Sequence, residues 1–205
     1  MGNPKNRFRR AAYPWTMAAA CLWTIAAMAE SDPLLLDDFS RSEGRSAIGT
    51  RWQGFTDRVM GGLSDMQAGT VETEQGTALR MSGSVRLENN GGFIQVRLPL
   101  SETGGTLDAS RYDSVEVTAR GRHGAYYLHL RTPDSSRPWQ YYRAPLEVSG
   151  EWSRITIDFD DFEGKSISGR PDFSRLRSIA VVAYGEAFDA EIEVARLALV
   201  QSPSE

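Results

Sequence analysis

Few side chains in this 205-residue chain are of the types that perform chemistry, and their spacing narrows what they can do. His123 and His129 are the only histidines and Cys21 is the only cysteine. Neither an H-E-x-x-H helix nor a His–Cys ligand spacing can be assembled from them, and no Ser–His–Asp set can be drawn. His123 lies in a glycine-flanked turn, and His129 reads as an ordinary residue of an alternating segment. Asp57 and Glu88 are the carboxylates that invite an acid–base pair for glycoside cleavage, since such partners meet in space and not in sequence. The simpler reading puts both in turns and caps. Asp37-Asp38 has the acidic character of a strand start that gathers oxygens around calcium, against plain exposed acids. The balance is a binding protein with no catalytic group and no cofactor.

Three groups of residues are candidates for binding. Met60-Gly61-Gly62 is a glycine turn whose free N–H groups can receive a ligand oxygen, or whose glycines simply allow a close backbone approach. It has no lysine and no following helix, so it is not a phosphate loop. Glu88-Asn89-Asn90-Gly91-Gly92 offers side-chain amides, and Asn-Gly is also a strong hairpin signal because both residues tolerate positive φ. Trp139-Gln-Tyr141-Tyr-Arg143, beside Tyr126, Tyr127 and Arg131, combines aromatic rings with arginine, the favoured anchors of protein interfaces and of sugar stacking. Alternation allows only about half of these to point outward.

The elements that position these residues are strands. Segments 78–87, 92–98, 114–120, 126–131, 154–159 and 191–199 alternate apolar and polar residues, which puts one face in a core and the other in water. Residues 178–184 are more continuously apolar, as in a central strand. About eight such strands, separated by turn residues, predict an all-β fold of two antiparallel sheets, a sandwich or jelly roll. One helix-like turn is expected near residues 171–176, and a tight turn between neighbouring strands at residues 88–90. No repeat or linker divides the body, so residues 30–205 form a single domain.

The N-terminus is of another kind. Residues 1–29 hold Lys5, Arg7, Arg9 and Arg10, no acid, an apolar run and a closing Ala27-Met28-Ala29. This predicts a signal peptide cleaved before Glu30, hence an exported, periplasmic or extracellular protein; the alternative is a mitochondrial presequence. The run is short for a membrane span. Net charge is −4 for the whole chain and −8 without this segment, an acidic body that argues against nucleic acid as partner.

Trp52-Gln-Gly-Phe-Thr-Asp57-Arg-Val-Met60-Gly-Gly-Leu-Ser64, followed by Glu88-Asn-Asn-Gly-Gly-Phe93-Ile-Gln-Val-Arg97, resembles the complex I intermediate-associated protein 30 family. That family shows W…D-x-V-M-G-G-x-S and then E-N-N-G-G-F-x-x-x-R. Tyr112-Asp113-Ser-Val115, Gly150-Glu-Trp152 before Ile155-Thr-Ile157, and Phe159 through Phe162 extend the likeness across residues 36–200. The resemblance implies a galactose-binding-domain-like jelly roll. It also implies a chaperone-like assembly factor that holds a protein partner, such as a membrane-complex subunit, because the mitochondrial members assemble respiratory complex I. It adds Trp52, Ser64 and Arg97 to the candidate binding residues. The alternative is a carbohydrate-binding module for envelope or extracellular glycans.

Overall fold

The computed structural model describes Met1 and residues 32–201. The expected leader, apart from Met1, and Cys21 lie outside the described residues. Within them the chain runs through β1 (Leu34–Asp37), β2 (Gln53–Thr56), β3 (Gln67–Thr73), β4 (Gly76–Val85), β5 (Phe93–Pro99), β6 (Ser114–Gly121), β7 (Tyr126–Arg131) and β8 (Tyr141–Pro145). It continues through β9 (Ser153–Asp158), β10 (Glu163–Lys165), β11 (Ser178–Tyr184) and β12 (Phe188–Val200). Among the described residues there is no α-helix, only short 3-10 turns, one of them (Phe173–Arg175) where a helical turn was expected. None is long and apolar enough to cross a membrane.

The strands form two antiparallel sheets. The first has the order β3-β4-β12-β6-β9, with β1 paired to β12 as well; the second has the order β10-β8-β7-β11-β5-β2. Thirteen-residue β12 pairs β6 on one side, and on the other pairs β4 along Phe188–Val194 and β1 near Leu197–Leu199, so one long strand serves three partners. A register shift between Val194 and Arg196 changes its parity, keeping Ile192, Val194, Leu197 and Leu199 all in the core. Facing them from the second sheet are Ile94, Val96, Leu98, Leu128, Leu130, Ile179 and Val181, every one almost wholly buried. Each such side chain contributes about 1.5–3 kcal/mol of burial energy, and this is what holds the two layers face to face.

The Asn-Gly turn does not make a hairpin. β4 lies in the first sheet and β5 in the second, so Glu88–Asn90 carries the chain from one layer to the other. Asn89 (φ 57°) and Asn90 (φ 58°) do adopt the left-handed conformation that the residue types favour. Local turn chemistry was read correctly, and its strand partners were not. Ladder partners are chosen by the core faces of whole strands, which a turn dipeptide does not encode.

Candidate functional site

The two glycine-rich motifs meet around a single buried carboxylate. Asp57 has no exposed surface and accepts from Ser64 N at 3.0 Å, Ser64 Oγ at 2.5 Å and Gly92 N at 2.6 Å. Burial pushes its pKa up, but the hydrogen bonds from Ser64 and Gly92 outweigh this and hold it below the ordinary value. Glycine is required on both sides. A Cβ at Gly62 would sit 2.3 Å from the Asp57 Cγ, and one at Gly91 would sit 2.5 Å from Oδ2. Asn89 Nδ2 donates to the Gly61 carbonyl at 3.1 Å and ties the loops together. Asp57, Gly62, Ser64 and Gly92 therefore form a structural clamp. Glu88 is exposed and paired with Arg86, so the two carboxylates do not combine into an acid–base pair.

Other expected positions are also consumed by the fold. Asp37 is buried and accepts from Phe39 N and Trp52 Nε1 (2.8 Å), while Trp52 packs on Phe39. Asp38 is held by Ser40. No group of three or more His, Cys, Asp or Glu side chains converges among the described residues, at Asp37 and Asp38 or elsewhere. Tyr126 is a core residue, 2% exposed, whose hydroxyl accepts from Glu191 N and donates to Glu191 O. Beside the exposed Arg58, Arg86 and Glu88, the clamp presents large apolar side chains to solvent: Val59, Met60, Leu63 and Leu87 are 71%, 55%, 41% and 49% exposed.

The remaining candidates gather on the outer face of the second sheet. Register places Arg97 and Gln95 beside Ala180 and Val182, which lie beside His129 and Tyr127, with Arg143 next to His129. Central strand β11 contributes the small Ser178, Ala180 and Val182 to this face, while its neighbours β5 and β7 contribute long side chains. The mismatch in length produces a groove, lined by Phe93, Gln95, Arg97, His129, Tyr141 and Tyr184 among others. Its wall is aromatic. His129 stacks on Tyr141 with ring centroids 4.1 Å apart at 14°, and Tyr184 meets both Tyr127 and His129 edge-on. Trp139, 56% exposed, follows Pro138 on the rim.

The groove is also cationic. Arg143 lies over Tyr127 (4.9 Å) and Arg97 over Phe55 (4.4 Å), each guanidinium held against a ring. Arg97 also donates to Gln53 Oε1, and Arg131 donates to the carbonyls of Ser135, Arg137 and Pro138, fixing the rim loop. Burial, with Arg143 and Arg131 nearby, lowers the His129 pKa to about 3, so the imidazole is neutral at physiological pH. Its Nε2 is buried without a hydrogen-bond partner. Burial and a hydrogen bond with Tyr184 raise the Tyr141 pKa, so its hydroxyl stays protonated. No carboxylate is among the groove's lining residues, which leaves it able to bind and orient but without the paired acids of glycoside cleavage. Phe55, Phe93, Gln95 and Tyr184 were missed from sequence, and their signal was only the outward parity of three strands that meet nowhere in the primary order.

A family model described as complex I intermediate-associated protein 30 matches residues 38–182. No curated protein sequence matches the chain. Among solved structures, the family 11 carbohydrate-binding module of a cellulosomal cellulase of Clostridium thermocellum superposes with a TM-score of 0.67 at 14% identity. The match covers 84% of this chain and 96% of that one. The same module in complex with a β-1,3-1,4-mixed-linked tetrasaccharide gives 0.65 at 14% identity, with coverage of 84% and 98%. A family 30 carbohydrate-binding module gives 0.53 at 15%, with coverage of 70% and 84%. At these identities the likeness is one of fold.

Proposed function

The chain belongs to the complex I intermediate-associated protein 30 family, and from that premise we propose that it is a non-catalytic binding module whose second-sheet groove receives a saccharide chain. The observation that carries this reading is the stacked His129–Tyr141 pair flanked by Tyr184 and Tyr127 above a floor of small side chains. Flat aromatic faces beside hydrogen-bonding side chains match the alternating apolar and hydroxylated surfaces of a sugar ring. The fold supports it, because the similar Clostridium thermocellum module was solved with a tetrasaccharide. The leader-like residues 1–29 support it too, since export would bring the module to envelope or extracellular glycans. A glycan array followed by titration calorimetry tests the reading. Tyr141→Ala and Tyr184→Ala should each weaken saccharide binding about tenfold with the fold intact. Saccharide binding that is indifferent to both changes would place the site elsewhere.

A second reading has its own observation. The exposed Val59, Met60, Leu63 and Leu87 over the Asp57 clamp form an apolar tip of the sort that docks on protein, in keeping with the holding role of assembly factors. Val59→Asp with Leu63→Asp should then abolish capture of a defined partner from envelope fractions while leaving saccharide binding unchanged.

A further inference from the structure

Resting on the groove reading, we infer that its ligand is an acidic saccharide, one carrying carboxylates such as a uronate polymer. Arg97, Arg131 and Arg143 share one face, and among the described residues none of them forms an ion pair with a carboxylate. Arg177 lies near enough to Arg97 and Arg131 that, after burial, its charge also lowers the pKa of both. The one acid register places on this face, Glu163, lies opposite Arg143 on the short edge strand β10 and is exposed. In a body whose net charge is −8 without its leader-like segment, a cluster of cations with a single exposed acid at its edge is a local feature and not a consequence of composition.

Hydrogen-bonding capacity points the same way. Guanidinium groups donate and do not accept, and the groove adds tyrosine hydroxyls but no carboxylate. Gln53 Oε1 is already engaged by Arg97. Gln95, Ser178 and the tyrosine hydroxyls both donate and accept, whereas the guanidinium groups only donate, and their best complement is a carboxylate, which only accepts. Arg97 and Arg143 lie over the rings of Phe55 and Tyr127, and a guanidinium so placed carries paired N–H groups suited to two-pronged contact with a carboxylate. The unpartnered Nε2 of His129, a residue more than nine-tenths buried in the groove wall, is a polar atom still lacking a hydrogen bond.

The test is titration of the purified chain with polygalacturonate, alginate and a glucuronate polymer, each compared with its carboxyl-reduced form, and with mixed-linked β-glucan and polyglutamate. At least one acidic polymer should bind about tenfold more tightly than its reduced form, and that margin should shrink at high salt. Arg97→Gln with Arg143→Gln should remove the margin while thermal unfolding stays unchanged. Equal binding of acidic and reduced forms, or preference for the β-glucan, overturns the acidic assignment and leaves the groove reading in place. Polyglutamate bound as tightly as the best uronate overturns the saccharide. Absence of binding to any saccharide removes the groove reading itself.

Discussion

The outer faces of the two sheets are built from the same alternation and finished in opposite ways. On the first sheet, buried Glu193 on β12 is gripped by Arg80 on β4 and by Arg120 on β6 at 2.7 Å, and Arg120 continues to Glu74. Further along, Glu116 takes Arg154 and Arg196, while Arg120 lies over Trp152 at 4.8 Å. A hollow of about 410 Å³ opens here, wider than the groove of the second sheet, yet the cations on its floor are answered by acids. On the second sheet Arg97, Arg131 and Arg143 face rings and carbonyls. Hollow size is therefore a poor guide to function in this molecule. A surface whose charges close on one another needs nothing from outside, and a surface whose charges stand open has a use for a ligand.

The comparison holds only while β5 is fixed in place, and the largest expected effect comes from releasing it. Asp57→Ala leaves Ser64 N and Gly92 N buried without an acceptor at the start of β5. It should lower unfolding stability by about 4 kcal/mol in denaturant titration and loosen the groove with it.

A difference in pH response comes next. Because the folded pKa of His129 is about 3 against an ordinary 6.5, the unfolded chain binds the extra proton between these values. Stability from this group is full above pH 6.5 and declines as pH falls toward 3, by at most about 1.4 kcal/mol per unit. Glu193 behaves differently. Burial raises its pKa, but its hydrogen bonds to Arg120 and Arg80 hold it below the ordinary 4.5, so its contribution is present above that pH and fades only below it. Denaturant titrations from pH 8 to 4 should therefore show a slope that His129→Phe flattens and that changes at Glu193 leave alone.

The smallest effects separate the faces most cleanly. Glu193→Ala strands two arginines and should cost about 2 kcal/mol, reduced from a fully buried pair because Arg80 is 43% exposed. Arg143→Gln should change stability by less than about 0.5 kcal/mol, since no carboxylate loses its partner. If Arg143 proved as costly to remove as Glu193, the contrast between the faces would be lost.

Much of the fold was legible because burial on one face writes itself as period two. The six segments read from alternation correspond to β4, β5, β6, β7, β9 and β12, and the continuously apolar one to β11. Strands that escaped were edge or short ones, such as β2 and β10, where little core contact leaves no pattern. The site was legible in part. Tyr141, Arg143, Arg131 and Arg97 do face outward together, while Tyr126 falls on the core side of its strand. Asp57 and Ser64 were recognisable as special but not as a clamp, because one of the N–H groups that need Asp57 comes from Gly92, 35 residues away on another loop. His129 looked ordinary because its importance comes from Tyr141, laid over it by a neighbouring strand.

The most direct measurement is residue-resolved NMR of the full chain during titration with a short uronate oligosaccharide. Binding at the groove should shift the amides of Gln95, Arg97, Tyr127, His129, Tyr141 and Tyr184 and leave Val59–Leu63 unmoved. Shifts confined to Val59, Met60, Leu63 and Leu87, or spread along the Glu193 network, would contradict it.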